Sequence, residues 1–167
     1  MPDIKDYWEP SFETLYQAYY QELASEALET TWQKIDIVQA ILVAITASGS
    51  AIAGWALWSE PGGKIAWVII AGIASVLSII HGTLGVPGRI KDQEDIRREF
   101  SELRLDLEKF RQRLALDLIV DEASKQYNHF LDRYTECMKK THPDLAYTKR
   151  LRNRVQRQVN ERLRVGG

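Results

Sequence analysis

The chain has 167 residues, a formal net charge of −1 and a charged fraction of 27%, which is the composition of one modest domain. Its single cysteine, Cys137, excludes an intrachain disulfide and the usual thiolate metal sites, so no metal is expected. Neither a glycine-rich phosphate loop nor a dinucleotide-binding fingerprint is present, and no cofactor and no enzyme are expected.

Residues 1–34 hold seven acids against two lysines. Within them "EPSFETLYQAYYQELASEALETTWQK" reads as a helix: Pro10 and Ser11 form a start signal, and Phe12, Leu15, Tyr19 and Leu23 recur at three- and four-residue steps. This helix runs straight towards an apolar segment.

Ile37 to Trp58 is 22 residues without a charge, and Ile65 to Val86 is another 22 in which only His81 is ionisable. At about 1.5 Å per residue, each run reaches about 33 Å and covers a bilayer core of about 30 Å. The pattern predicts a two-span hairpin over 35–88, turning at "SEPGGK". A soluble domain of this length has little material to sheath two helices that are apolar on every side. Arg89, Lys91, Arg97, Arg98 and Arg104 follow the second run, whereas the turn carries only Lys64. By the excess of basic residues on the inner side, both termini are expected in the cytoplasm and the turn outside. Trp55, Trp58 and Trp67 near the turn, and Trp32 at the other end, are placed as interfacial anchors.

Small residues recur along both runs. Ala40, Ala44, Ala47, Ala51 and Gly54 form one ladder, and Ala71, Ser75, Ser78, Gly82 and Gly85 form another; in lipid such ladders mark helix contacts. Beside the first lies a mildly polar stripe, Gln39, Thr46 and Ser50. It is a candidate pore lining, or its hydroxyls bond to carbonyls of their own helix. Asp36 is expected to pair with Arg89 or Lys91. His81, about four residues inside the cytoplasmic face, reads either as a proton-sensing group or as an ordinary histidine at headgroup level.

"VPGR" then interrupts, with Pro87 and Gly88 able to bend the chain. Beyond it Ile96, Phe100, Leu103, Leu107, Phe110 and Leu114 follow spacings of four, three, four, three and four, the seam of a coiled coil. The seam predicts a stalk through which chains assemble. It loses phase near "VDEASK", where a break is expected before a further helix holding Tyr127, Phe130, Leu131, Tyr134 and Met138. His129, Cys137 and His142 have no carboxylate at a recognisable spacing, which argues against a catalytic cluster.

A last helix is expected from "THPDL", capped by Thr141 or His142 with Pro143 in its first turn. Residues 141–167 hold seven Lys or Arg against two acids. Leu151, Val155, Val159 and Leu163 line up at four-residue spacing, with Lys149, Arg150, Arg152, Arg154 and Arg157 among the surrounding cations. Three readings stand for this helix: docking on the acidic amino-terminal helix, contact with anionic lipid, or capture of a phosphate.

An amino-terminal helix rich in Tyr and Leu leading into Trp32 and Lys34, two spans rich in small residues joined by a tight turn, and a charged helix directly after them resemble the SLATT group. The resemblance covers roughly residues 10–125. It implies a two-transmembrane effector of bacterial nucleotide-signalling defence that oligomerises and permeabilises the inner membrane on a signal from a nucleotide-synthesising or nucleotide-sensing partner protein. The chain is also similar to the small two-span effectors of type III CRISPR systems, which implies a cyclic oligoadenylate held by residues 141–167. A membrane-anchored scaffold or adaptor that binds a protein partner is the alternative from a different class.

The expected architecture is an all-α membrane protein with four regions: 1–34, the hairpin 35–88, the coiled-coil-like 89–140 and the basic 141–167. Membrane lipids and further copies of the chain are the expected partners, and nucleic acid is not.

Overall fold

The computed structural model describes residues 5–49, 61–116 and 120–165. Every regular element among them is a helix: α1 (Lys5–Gly49), α2 (Pro61–Leu84), α3 (Val86–Leu114), α4 (Val120–Lys140) and α5 (Lys149–Val165). The fold is all-α. The chain divides into two compact units, a helical body of Met1–Glu29 with Lys91–Gly167 and a hairpin unit of Thr30–Ile90. The first, third and fourth expected regions therefore fold largely as one body.

In the body α1 carries two apolar faces, and each recruits a different neighbour. Leu15 and Ala18 meet Ile96, Phe100, Leu103 and Leu107 of α3 together with Cys137 of α4. Tyr19, Leu23 and Ala24 meet Val155 and Val159 of α5. A third cluster joins Phe110 and Leu114 of α3 to Ala123 of α4, with the Phe110 and Phe130 rings edge to face at 5.4 Å.

The seam of α3 is thus filled from within the chain. Phe100, Leu103 and Leu107 are 0% exposed, and Ile96, Phe110 and Leu114 are buried with them. The stalk expected between chains is corrected to an intrachain core. A heptad seam states only that an apolar stripe must be covered, and a helix of the same chain covers it without the translational and rotational cost of association.

Three boundaries differ from expectation. α1 begins at Lys5 rather than at Pro10. Pro10 lies inside the helix, where it has no N–H to donate, and the Ser11 and Thr14 hydroxyls donate to the carbonyls of Trp8 and Pro10, each at 3.0 Å. Ser11, not Phe12, faces inward; Phe12 is exposed with the Arg111 guanidinium 4.8 Å from its ring centre. α3 ends at Leu114, ahead of "VDEASK", and α4 starts at Val120; residues 117–119 lie outside the described residues.

α5 starts at Lys149, not near Thr141. The Asp144 carboxylate accepts from the Ala146 N–H at 2.8 Å and turns the chain, after which Thr148 Oγ1 accepts from the Leu151 N–H at 3.3 Å as the helix cap.

Charged pairs line the body's rim, between helices and, for Arg104 with Glu108, within α3. Arg104 donates to Glu22 at 2.6 Å and to Glu108 at 2.8 Å, Arg133 to Asp106 at 2.6 Å and Lys140 to Glu99 at 2.5 Å. In the turn before α5, the hydroxyls of Tyr147 and Tyr20 meet. Burial, and then the Tyr20 hydroxyl, push the Tyr147 phenol well above its ordinary value of 10.0.

A raised folded value means stability that is fully present below the unfolded value of 10.0 and is lost as pH rises above it. Tyr147→Phe should therefore flatten the alkaline decline of stability relative to the natural chain. The check is a pair of denaturation series above pH 10, and parallel declines would show that this phenol is not linked to folding.

Candidate functional site

The hairpin unit differs from the body in where its apolar side chains point. From α1, Ile35, Ile37, Val38, Ile41, Val43 and Ile45 are exposed; from α2, Ile65, Val68, Ile69, Ile70, Ile73, Val76 and Ile79 are exposed. Ile37 reaches 56% and Ile79 reaches 68%. On each helix these positions spread over more than half of the circumference rather than along one stripe, so no single neighbouring helix could cover them. Monomeric soluble proteins rarely leave a continuous apolar surface of this extent in water.

Among the described residues no single helix is long and apolar enough to cross a membrane. One pair, Val68–Leu84 and Val86–Leu114, passes together on length and composition across the bend between them. That bend is at Gly85, whose φ of +59° lies in the left-handed region that suits glycine after a helix end. Pro87 sits in the first turn of α3, where its missing N–H has no partner to lose, and Gly88 lies within α3. The residue that turns the chain is Gly85 rather than Pro87 or Gly88.

Inside the hairpin, His81 Nε2 and Asp36 Oδ1 stand 2.7 Å apart. This replaces the expected Asp36 pair with Arg89 or Lys91. Arg89 instead lays its guanidinium 5.2 Å from the ring centre of Trp32 and donates from Nε to the Leu84 carbonyl at 2.9 Å, satisfying one acceptor freed at the end of α2. Trp32 is 3% exposed, so the expected interfacial anchor is a buried one.

The ladders are only partly where the spacing put them. On α2, Ala71 is half-buried and Ala74 is buried, whereas Ser75, Ser78 and Gly82 are exposed, and Ser75 Oγ donates to its own helix at the Ala71 carbonyl at 2.8 Å. The inward line is Ala74, Leu77 and His81, one step around the helix from the expected one. Ala44 on α1 is exposed. The Ala47 side chain, Ala51 and Gly54 lie outside the described residues, as do the Thr46 side chain, Ser50, Trp55, Trp58 and the Trp67 side chain. Gln39, the describable member of the proposed pore lining, is half-buried; its Oε1 is sealed from solvent without a hydrogen-bond partner.

The basic helix resolves one of its three readings. Val155 and Val159 are 0% exposed and, with Leu163, pack on α1. Tyr16 donates to Asn160 Oδ1 at 2.8 Å, and Arg162 Nη1 donates to the Tyr19 hydroxyl at 2.7 Å. Docking on the amino-terminal helix is therefore what the apolar face does, with tyrosine hydroxyls bonded across the contact. Lys149, Arg150, Arg152, Arg154 and Arg157 all face outward, with Arg157 4.0 Å from Glu161.

His129 and His142 are exposed and Cys137 is buried. Burial, then the neighbouring Glu99 carboxylate, hold the Cys137 thiol above its ordinary value, the opposite of an activated thiolate. Among the described residues no group of three or more His, Cys, Asp or Glu is placed to hold a metal ion.

Sequence reasoning passed over Ser25 and Gln93, polar side chains buried in the body. The signal was present: Gln93 stands three residues before Ile96, on the seam itself, and a polar residue on an otherwise apolar line calls for a partner. No protein-family profile matches the chain, and neither a curated protein nor a solved structure matches it. The class defined by fold and surface is an all-α protein with a closed helical body and a hairpin of open apolar surface.

Proposed function

We propose that the hairpin inserts into a bilayer as two antiparallel spans, and that the chain is a two-span membrane effector whose hairpins assemble side by side to permeabilise the membrane. The observation that carries this reading is the set of thirteen large apolar side chains exposed, among the described residues, on the hairpin parts of α1 and α2. Hydrocarbon tails are as apolar as these side chains, so insertion removes the cost of exposing them to water. One hairpin cannot enclose water, so permeabilisation needs several copies. With the α3 seam used inside the body, assembly falls to the hairpin surface. The signal is assigned to a nucleotide-synthesising or nucleotide-sensing partner, on the resemblance alone.

The closed seam also favours a second reading, a membrane-anchored scaffold in which the hairpin only tethers the body. A potential-sensitive dye in cells expressing the chain separates the two: depolarisation marks the effector, and a polarised membrane at every expression level marks the scaffold.

Orientation needs a different probe from Cys137, because a buried thiol escapes labelling on either side. In a Cys137→Ala background, cysteine at exposed Gly62 should react with an impermeant reagent in intact cells, and cysteine at exposed Lys125 only after lysis. Labelling of the Lys125 position in intact cells would overturn the cytoplasmic assignment of the body.

A further inference from the structure

The body contains a cleft of about 290 Å³ between the middle of α1, the start of α3 and the turn that precedes α5. Leu28 and Ile96 give it apolar walls, and Gln21, Ser25 and Gln93 give it polar ones. Ser25 is 3% exposed and Gln93 8%. Neither makes a hydrogen bond to another described residue, and neither is among the polar atoms sealed from solvent, so both open onto the cleft. Two largely buried polar side chains on facing helices that open into one space without a protein partner mark a place where a ligand can replace the water that bonds them.

The chemistry of the lining narrows that ligand. No Lys or Arg lines the cleft. The carboxylate there, Asp144, already accepts from the Ala146 N–H. Among the described lining residues only His142 carries an ionisable nitrogen, so a phosphate would meet no fixed positive charge. A carboxamide offers one donor and one acceptor side by side, which matches the paired acceptor and amino group on the edge of an adenine-type ring. The two glutamines and the serine hydroxyl supply such edges, while Leu28 and Ile96 suit a flat apolar face. At this volume the cleft lies at the small end of ligand pockets, the size of a base or nucleoside rather than an oligonucleotide.

We infer that this cleft binds an uncharged aminopurine, as base or nucleoside, through Gln93, Gln21 and Ser25. The inference stands on the body alone and is independent of the membrane reading.

The test is isothermal titration of the detergent-solubilised full chain with adenine, adenosine and AMP. Adenine or adenosine should bind, and Gln93→Leu should weaken binding roughly tenfold or more through loss of the paired hydrogen bonds. Leu is close in shape to Gln and places no unpaired polar group in the cleft, so this variant should keep or raise the melting temperature. Gln21→Leu at the half-buried rim is the second variant, and weaker binding with an unchanged melting temperature supports the site even where Gln93→Leu fails to fold. Absence of binding at millimolar adenine and adenosine overturns the inference, as does binding that both variants leave unchanged. AMP binding tighter than adenosine would overturn the assignment of an uncharged ligand.

Discussion

Replacing Phe100 by Ala should lower the stability of the helical body by about 3–5 kcal/mol, the usual cost of truncating a fully buried aromatic side chain. Phe100 is 0% exposed in the cluster that joins α1, α3 and α4, and its ring stands edge to face with Tyr134 at 6.1 Å, so the loss removes both buried area and a ring contact. The double variant Leu103→Asp with Leu107→Asp should go further, because it places two charges where neither side chain meets water. Urea denaturation followed by circular dichroism in detergent reads the effect as a lower midpoint and, for the double variant, as loss of the body's helical signal. The contrast with an interchain stalk is sharp. If the seam joined separate chains, these variants would abolish crosslinked oligomers while leaving a folded monomer; that pattern would overturn the intrachain core.

Ile69→Arg with Ile73→Arg should remove the chain from the membrane fraction. Both side chains are more than half exposed on α2, and an Arg near the centre of a span costs about 2.5–3.5 kcal/mol in insertion. On a helix that faces water the same substitutions would fall within about 0.5 kcal/mol of neutral, and they would improve solubility. The measurement is the share of protein that resists carbonate extraction, with a denaturation curve of the body as the control. Retention of the double variant in the membrane fraction, with an unchanged body, would sink the proposed insertion of α2.

Much of the secondary structure was legible because it rests on local rules. The spacing from Ile96 to Leu114 specified a long helix with one apolar stripe, and the line Leu151, Val155, Val159 and Leu163 specified another. The helix start at Thr148 was less legible. "THPDL" carries a cap residue followed by proline, but the Asp144 side chain captures the Ala146 N–H and turns the chain before any helix begins. The Asp36–His81 pair was missed because counting outwards from the turn assumes a register, and the register depends on the crossing of two helices. Gln93 was passed over because it sits in a charged run, Lys91 to Asp95, that reads as a solvated face, and Ser25 because a lone serine in a helix carries no signal; only the fold brings them to one cleft.

The sequence by itself determined that the chain is helical, that its seam residues need cover, and that two stretches are apolar on all sides, since periodicity and composition act within a turn or two of helix. Tertiary structure decided what covers each stripe. α1 has an apolar face on either side, so it takes α3 and α4 on one and α5 on the other, and the stripe that reads as an assembly surface becomes the inside of a single body. The physical reason is that burial is non-directional: an apolar stripe is satisfied by any complementary surface, and partners already in the same chain meet it at no association cost.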